Sequence, residues 1–141
     1  MERPSYEVLE HTADLRLAFY GADLPELFRN AAYGMTAEML DGDLPGPTMG
    51  PLSVRVRRQH PDLHLRAWLA ELLYILEAEH LLTTCWDVRF DRRGTLVAKV
   101  RGVPVAEVVG RLKTEIKAVT YHGLRVEETS DGLRAEVIFD L

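Results

Sequence analysis

The chain is poor in several things that would assign it at once. It has one cysteine among 141 residues, so neither an internal disulfide nor a cysteine-rich zinc site can form, a usage that fits a reducing compartment. Positive charge is the scarcer sign: 17 Lys and Arg stand against 22 Asp and Glu, a formal net charge of −5. That balance is opposite to what counterion release from a phosphate backbone rewards, and no direct RNA binding is expected on this ground. No apolar run approaches the roughly 18 residues of a membrane span. The opening Met1-Glu2-Arg3-Pro4-Ser5 also lacks the apolar stretch of a secretory signal. A soluble, cytoplasmic protein with no membrane association is expected. Phosphate-cradling glycine loops, Gly-x-Gly-x-x-Gly, His-Glu-x-x-His and Gly-x-Ser-x-Gly are all missing, which removes the familiar enzyme classes that depend on them.

What is present is enough for a core. Apolar residues make up 47% of the chain, and a length of this order suits one domain, here 1–141, that buries about two-thirds of the surface of its unfolded form. Residues 6–9 form a short strand candidate, and Leu15, Leu17 and Phe19 alternate with Arg16, Ala18 and Tyr20 at the two-residue period of a half-buried strand. Asp23 and Glu26 form a capping pair ahead of Leu24, Leu27, Phe28, Ala31, Met35 and Met39, whose spacing predicts a helix. The prolines and glycines of residues 45–51 predict a surface connection. Leu52, Val54 and Val56 then alternate with Ser53, Arg55 and Arg57, a strand with one solvated face.

Asp62 is the expected cap of a second helix, whose apolar arc from Leu65 to Leu76 is too wide for a single packing surface. Trp86, Val88 and Phe90, the turn Arg92-Arg93-Gly94, and Leu96, Ala98 and Val100 read as a hairpin. Residues 104–113 fit a short helix or an irregular segment. Strands are expected over residues 116–121 and 124–128, and a last one follows the Ser130-Asp131-Gly132 turn, with Ala135, Val137 and Phe139 facing one way. The fold class is α+β: one mixed or antiparallel sheet covered by two main helices.

Four places could carry chemistry, of which one, Trp68 to Glu79, reads as core packing with Glu71 the one member that could be drawn out of solvent. His11-Thr12-Ala13-Asp14 lies between two strands, where a carboxylate held by backbone donors can ligate a hard cation, or Asp14 simply makes a turn and His11 caps a strand. At Phe139-Asp140-Leu141 a carboxylate neighbours main-chain oxygens. If the last strand pairs beside the first ones, Asp14 and Asp140 meet at one sheet end and can share a divalent cation through oxygen ligands; otherwise Asp140 is a solvated charge. In the segment from Lys113 to His122, Glu115 and Lys117 share a face with Val119 and Tyr121, and the bland reading is a partly exposed strand with cross-strand charge pairs. Cys85 reads as a small buried residue. His60, His64 and His80 read as surface or capping residues.

In order along the chain, Tyr6-Glu7-Val8-Leu9-Glu10-His11-Thr12-Ala13-Asp14, Ala31-Ala32-Tyr33-Gly34-Met35, Trp68-Leu69-Ala70-Glu71-Leu72-Leu73-Tyr74, Thr114-Glu115-Ile116-Lys117-Ala118-Val119-Thr120-Tyr121-His122 and Val137-Ile138-Phe139-Asp140-Leu141 together resemble the archease family. The resemblance implies a protein that is not itself an enzyme but activates an RtcB-type RNA ligase, the GTP-dependent enzyme that seals tRNA exon halves and broken RNA ends. It implies that GTP is met only through the ligase, whose guanylylation and multiple turnover the small protein promotes. It further implies a divalent metal ion, calcium, magnesium or manganese, with Asp14, Asp140 and Leu141 as ligands, Leu141 through a backbone or terminal oxygen. Lys117 matches the family's functional lysine.

Two other classes remain open on the residues alone. A small metal-dependent phosphoester hydrolase would use Asp14 and Asp140 as ligands and His11 or His122 as base. An interaction or chaperone module would need no metal at all.

Overall fold

The computed structural model describes residues 3–11 and 13–141. Strands β1 (Tyr6–His11) and β2 (Asp14–Gly21) form the first hairpin, followed by helix α1 (Leu24–Met39), strand β3 (Met49–Val56), helix α2 (Pro61–Glu79) and a second hairpin of β4 (Leu81–Phe90) and β5 (Leu96–Pro104). Two short 3₁₀ turns, Val105–Glu107 and Val109–Arg111, resolve the ambiguous segment. Strands β6 (Ala118–Val119), β7 (Arg125–Thr129) and β8 (Gly132–Asp140) complete the chain. Among the described residues no helix is long and apolar enough to cross a membrane.

The α+β reading holds, with one difference: the strands make two sheets rather than one. The larger has the order β1-β2-β8-β6, with β7 also pairing β8, and the smaller has the order β3-β5-β4. All the described pairings are antiparallel. The alternation read from β2 and β8 places Leu15, Leu17 and Phe19 opposite Phe139, Val137 and Ala135. All six are buried, and the rings of Phe19 and Phe139 meet edge to face at 6.5 Å between centroids. Strand β3 starts earlier than its apolar alternation suggests, at Met49, because Thr48 N donates to Gly102 O and draws the connection alongside β5.

Helix α1 begins where its capping residues predict. The Asp23 carboxylate accepts from Glu26 N, and the Glu26 side chain accepts in return from Ala22 N, so two of the free amides at the helix start are satisfied. The helix lies close over the first hairpin at Gly34, where a Cβ would come within 2.8 Å of both Tyr6 and Phe19. Helix α2 is half enclosed: Leu65, Trp68, Leu69, Leu72 and Ile75 are buried, and Trp68 Nε1 donates to Phe28 O of α1 at 2.9 Å.

Three residues differ from their sequence reading. The cap of α2 is His60, not Asp62; Asp62 lies in the first turn and its carboxylate accepts from Val126 N of β7 at 2.6 Å, a long-range partner no local pattern announces. His64 is neither surface nor cap. It is 4% exposed, its ring packs edge to face against Phe28 and Phe90, and Nε2 lies 3.0 Å from Val56 O. A carbonyl can only accept, so Nε2 carries the hydrogen, and burial lowers the affinity of the ring for a second proton. Cys85 is exposed, because its neighbours Trp86 and Val88 occupy alternate inward positions and parity turns it outward. His60 and His80 do terminate α2, His80 in the left-handed conformation at φ 55°.

Candidate functional site

The first hairpin reverses between His11 and Asp14, which makes Asp14 the first residue of β2. Thr12 and the side chain of His11 lie outside the described residues. Strand β8 runs antiparallel to β2 and ends at Asp140, and Asp14 and Asp140 are direct register partners. On the other edge of β8, Ala118 of β6 is also the partner of Asp140, and Lys117 N donates to Asp140 O at 2.8 Å. Asp140 is therefore held by its backbone between the segments that carry Asp14 and Lys117.

Parity settles which way the carboxylates point. In each strand the adjoining residue, Leu15, Phe139 or Val119, is buried in the core. Asp14, Asp140 and Ala118 consequently occupy the opposite face of the sheet. Both aspartates are exposed. Directly opposed residues have Cβ atoms about 4.5–5.5 Å apart, close enough for two carboxylates to share one cation and close enough for them to repel when none is there. Neither carboxylate, nor the Lys117 ammonium, forms an ion pair among the described residues. Arg16, two residues along the same face and opposite Ile138, is the nearest cationic position on β2; simple alternation could have singled it out.

Oxygen donors of this kind suit a hard cation such as calcium, magnesium or manganese rather than a soft one. Asp14, Asp140 and a main-chain oxygen of Leu141 would supply fewer than the usual six to eight ligands, so a cation there would keep several places for water or for oxygens from another molecule. No cluster of three or more His, Cys, Asp or Glu side chains suited to a metal occurs among the described residues. The site is thus an open edge, not a cage.

The expected strand over residues 116–121 is reduced to Ala118–Val119. Beyond it Tyr121 turns out over the Arg66 guanidinium at 3.9 Å, while Arg66 Nε donates to Val119 O at 3.0 Å, so α2 pins β6 from the side. His122 lies past that point in a turn, its amide bonded to the Thr120 hydroxyl, displaced along the sheet from the two aspartates. A cavity of about 440 Å³ lined by Met39, Leu76, Val105, Leu112 and Ile116 adjoins the segment leading to Lys117 but includes neither aspartate.

Fold and edge define a small α+β protein that presents a facing pair of carboxylates to its surroundings rather than enclosing them in a cleft. Known proteins place it further. The archease protein family matches residues 6–141. The archease of Methanosarcina acetivorans is 37% identical over 142 residues, covering 96% of this chain and 95% of its own. That of Archaeoglobus fulgidus is 34% identical over 139 residues, covering 96% and 98%. The solution structure of protein 1598 of Methanobacterium thermoautotrophicum superposes with a TM-score of 0.80 at 29% identity, over 97% of this chain and 99% of that one. The crystal structure of an archease from Thermotoga maritima, described as a possible chaperone, has the same fold at a TM-score of 0.67 and 21% identity, over 100% and 98% of the two chains. The chain belongs to the archease family.

Proposed function

We propose that this protein is a non-enzymatic activator of an RtcB-type GTP-dependent RNA ligase, in tRNA splicing and RNA repair, and that it acts through the Asp14–Asp140 edge. The observation that carries the reading is the register pairing of these two aspartates with Lys117 bonded alongside. An exposed pair of like charges contributes nothing to folding and costs stability, so its presence at a strand end is best explained by what it presents to a partner.

Asp14, Asp140 and a main-chain oxygen of Leu141 would hold a divalent cation, whose positive charge offsets that of a triphosphate during nucleotidyl transfer. The open coordination of the edge suits a cation shared with the ligase. Lys117, exposed and anchored by its own backbone to β8, offers a mobile ammonium for a phosphate or for a ligase carboxylate. The rigid sheet fixes the spacing of these groups; the partner supplies the nucleotide and the reacting atoms.

The test is ligase guanylylation measured with and without the protein. Asp14→Ala, Asp140→Ala and Lys117→Ala each abolish the stimulation while the circular dichroism spectrum stays that of the parent. Stimulation at parental levels by all three variants would overturn the site assignment. Phosphoester turnover by the purified protein with manganese, lost in Asp14→Ala, would replace the activator reading with the hydrolase one.

A further inference from the structure

The smaller sheet has a chemistry of its own. Val54, Val56, Trp86, Val88, Ala98 and Val100 point into the core, which turns Arg55, Arg89, Lys99 and Arg101 to the outside. The register sets them in rows: Arg55, Val97 and Arg89 in one, Ser53, Lys99 and Asp87 in the next, and Arg101 beside Cys85 in a third. Arg57 extends β3, Arg92 and Arg93 occupy the hairpin turn, and the aliphatic part of Arg58 lies against Gly94 of that turn.

Charge is therefore strongly segregated. These strands, their turn and the two residues that follow β3 carry eight of the 17 basic residues and only two of the 22 acids, Asp87 and Asp91. Asp91 is largely occupied in accepting from Arg93 N and Thr95 N, with Arg55 at 3.7 Å. Asp87 faces Arg89 at 3.4 Å. Arg57, Arg58, Arg92, Arg93, Lys99 and Arg101 have no carboxylate within ion-pair distance among the described residues. The net charge of −5 averages this face with a much more acidic remainder, and at physiological salt a charge beyond about 8 Å is largely screened from it.

We propose that the outer face of the β3-β5-β4 sheet binds the phosphate backbone of duplex RNA directly, contrary to the expectation from net charge. Seven of the eight cations are arginines, whose guanidinium forks match phosphate oxygens in two-point hydrogen bonds. The outward positions include no aromatic residue on which an unpaired base could stack, which favours the backbone of a paired arm over a single strand and makes the contact indifferent to sequence. The choice of RNA over DNA rests on the ligase-activator reading; the phosphate contact does not.

The experiment uses the full chain without ligase and a fluorescein-labelled RNA duplex of about 20 base pairs, followed by anisotropy between about 50 and 150 mM KCl. Binding in about the 1–100 μM range is expected, weakening steeply with salt. The triple variant Arg57→Gln, Lys99→Gln, Arg101→Gln, whose replaced side chains are all exposed, loses at least tenfold in affinity at unchanged melting temperature. Its salt slope becomes shallower by about two to three. A photoreactive group on Cys85, opposite Arg101, crosslinks to the RNA. Absence of binding at low salt, parental affinity in the triple variant, or binding with no crosslink from Cys85 would each overturn the proposal, as would a tenfold preference for the matching DNA duplex. If the triple variant instead loses RNA-free ligase guanylylation and keeps RNA binding, the face is a protein contact and the proposal falls. Failure of the parent protein to stimulate ligase guanylylation would sink the activator reading without moving the anisotropy.

Discussion

Asp14 and Asp140 face each other across β2 and β8, the first residue of one strand opposite the last of the other. The residues beside them in the strands, Leu15, Phe139 and Val119, are buried in the core, so the pair sits on a packed support with its charges outward.

Their mutual repulsion has a measurable sign. Asp14→Asn removes one of two opposed charges and, without divalent cations, stabilises the fold by about 0.2–1 kcal/mol. With an affinity of about 1 mM, a cation at about 10 mM stabilises the parent by about 1.4 kcal/mol, and the variant by much less. Thermal unfolding with and without calcium or manganese checks both halves.

His64 makes stability depend on pH. Its folded affinity for a proton is lowered by burial, so below the ordinary value of 6.5 the unfolded chain takes up a proton that the folded chain resists. The contribution is fully present above that pH and is lost as pH falls, by up to about 1.4 kcal/mol per pH unit. Urea unfolding at pH 7.5, 6.5 and 5.5 shows the decline, and His64→Leu flattens its part of the slope while losing the bond to Val56 O.

Arg66 reaches the candidate site at one remove. Arg66→Ala removes the bond to Val119 O and the stacking on Tyr121, costing about 1–2 kcal/mol. Because β6 is only two residues long, the amides of Lys117 and Thr120, which donate to β8, exchange hydrogen faster. If the protein activates a ligase as proposed, the stimulation falls with them although both aspartates remain.

At Gly102 the backbone of β5 lies close against that of β4. A Cβ there would stand 1.9 Å from Leu82 O, a backbone atom that cannot swing aside, so Gly102→Ala destabilises by roughly 3 kcal/mol or more. Denaturant titration gives the number, and the same substitution at Gly110, with open space around it, is the control.

Local patterns were informative wherever partners lie nearby. Asp23 and Glu26 announce α1 because a capping pair satisfies amides within its own turn, and the alternations of β2 and β8 survive because their inner faces are uniformly apolar. His64, Asp62 and the division into two sheets were not legible. Each depends on a distant group, the Val56 carbonyl for His64, the Val126 amide for Asp62 and the choice of neighbour for β3, that no window of sequence contains. For Cys85 the parity of Trp86 and Val88 carries the information, and it is a better guide to exposure there than small size. The two aspartates could be marked as strand ends; that they meet is a property of register, which the pairing of whole strands determines.

Strand β8 is flanked on both edges, by β2 on one side and by β7 and β6 on the other. The β1–β2 and β4–β5 hairpins can zip up from their turns, but β8 must travel back across the molecule to find β2, a slow search among distant contacts. Until that late arrival there is no apposed acidic pair to show. A partner that read this edge, as proposed, would read at the same moment that the chain carrying it has finished assembling.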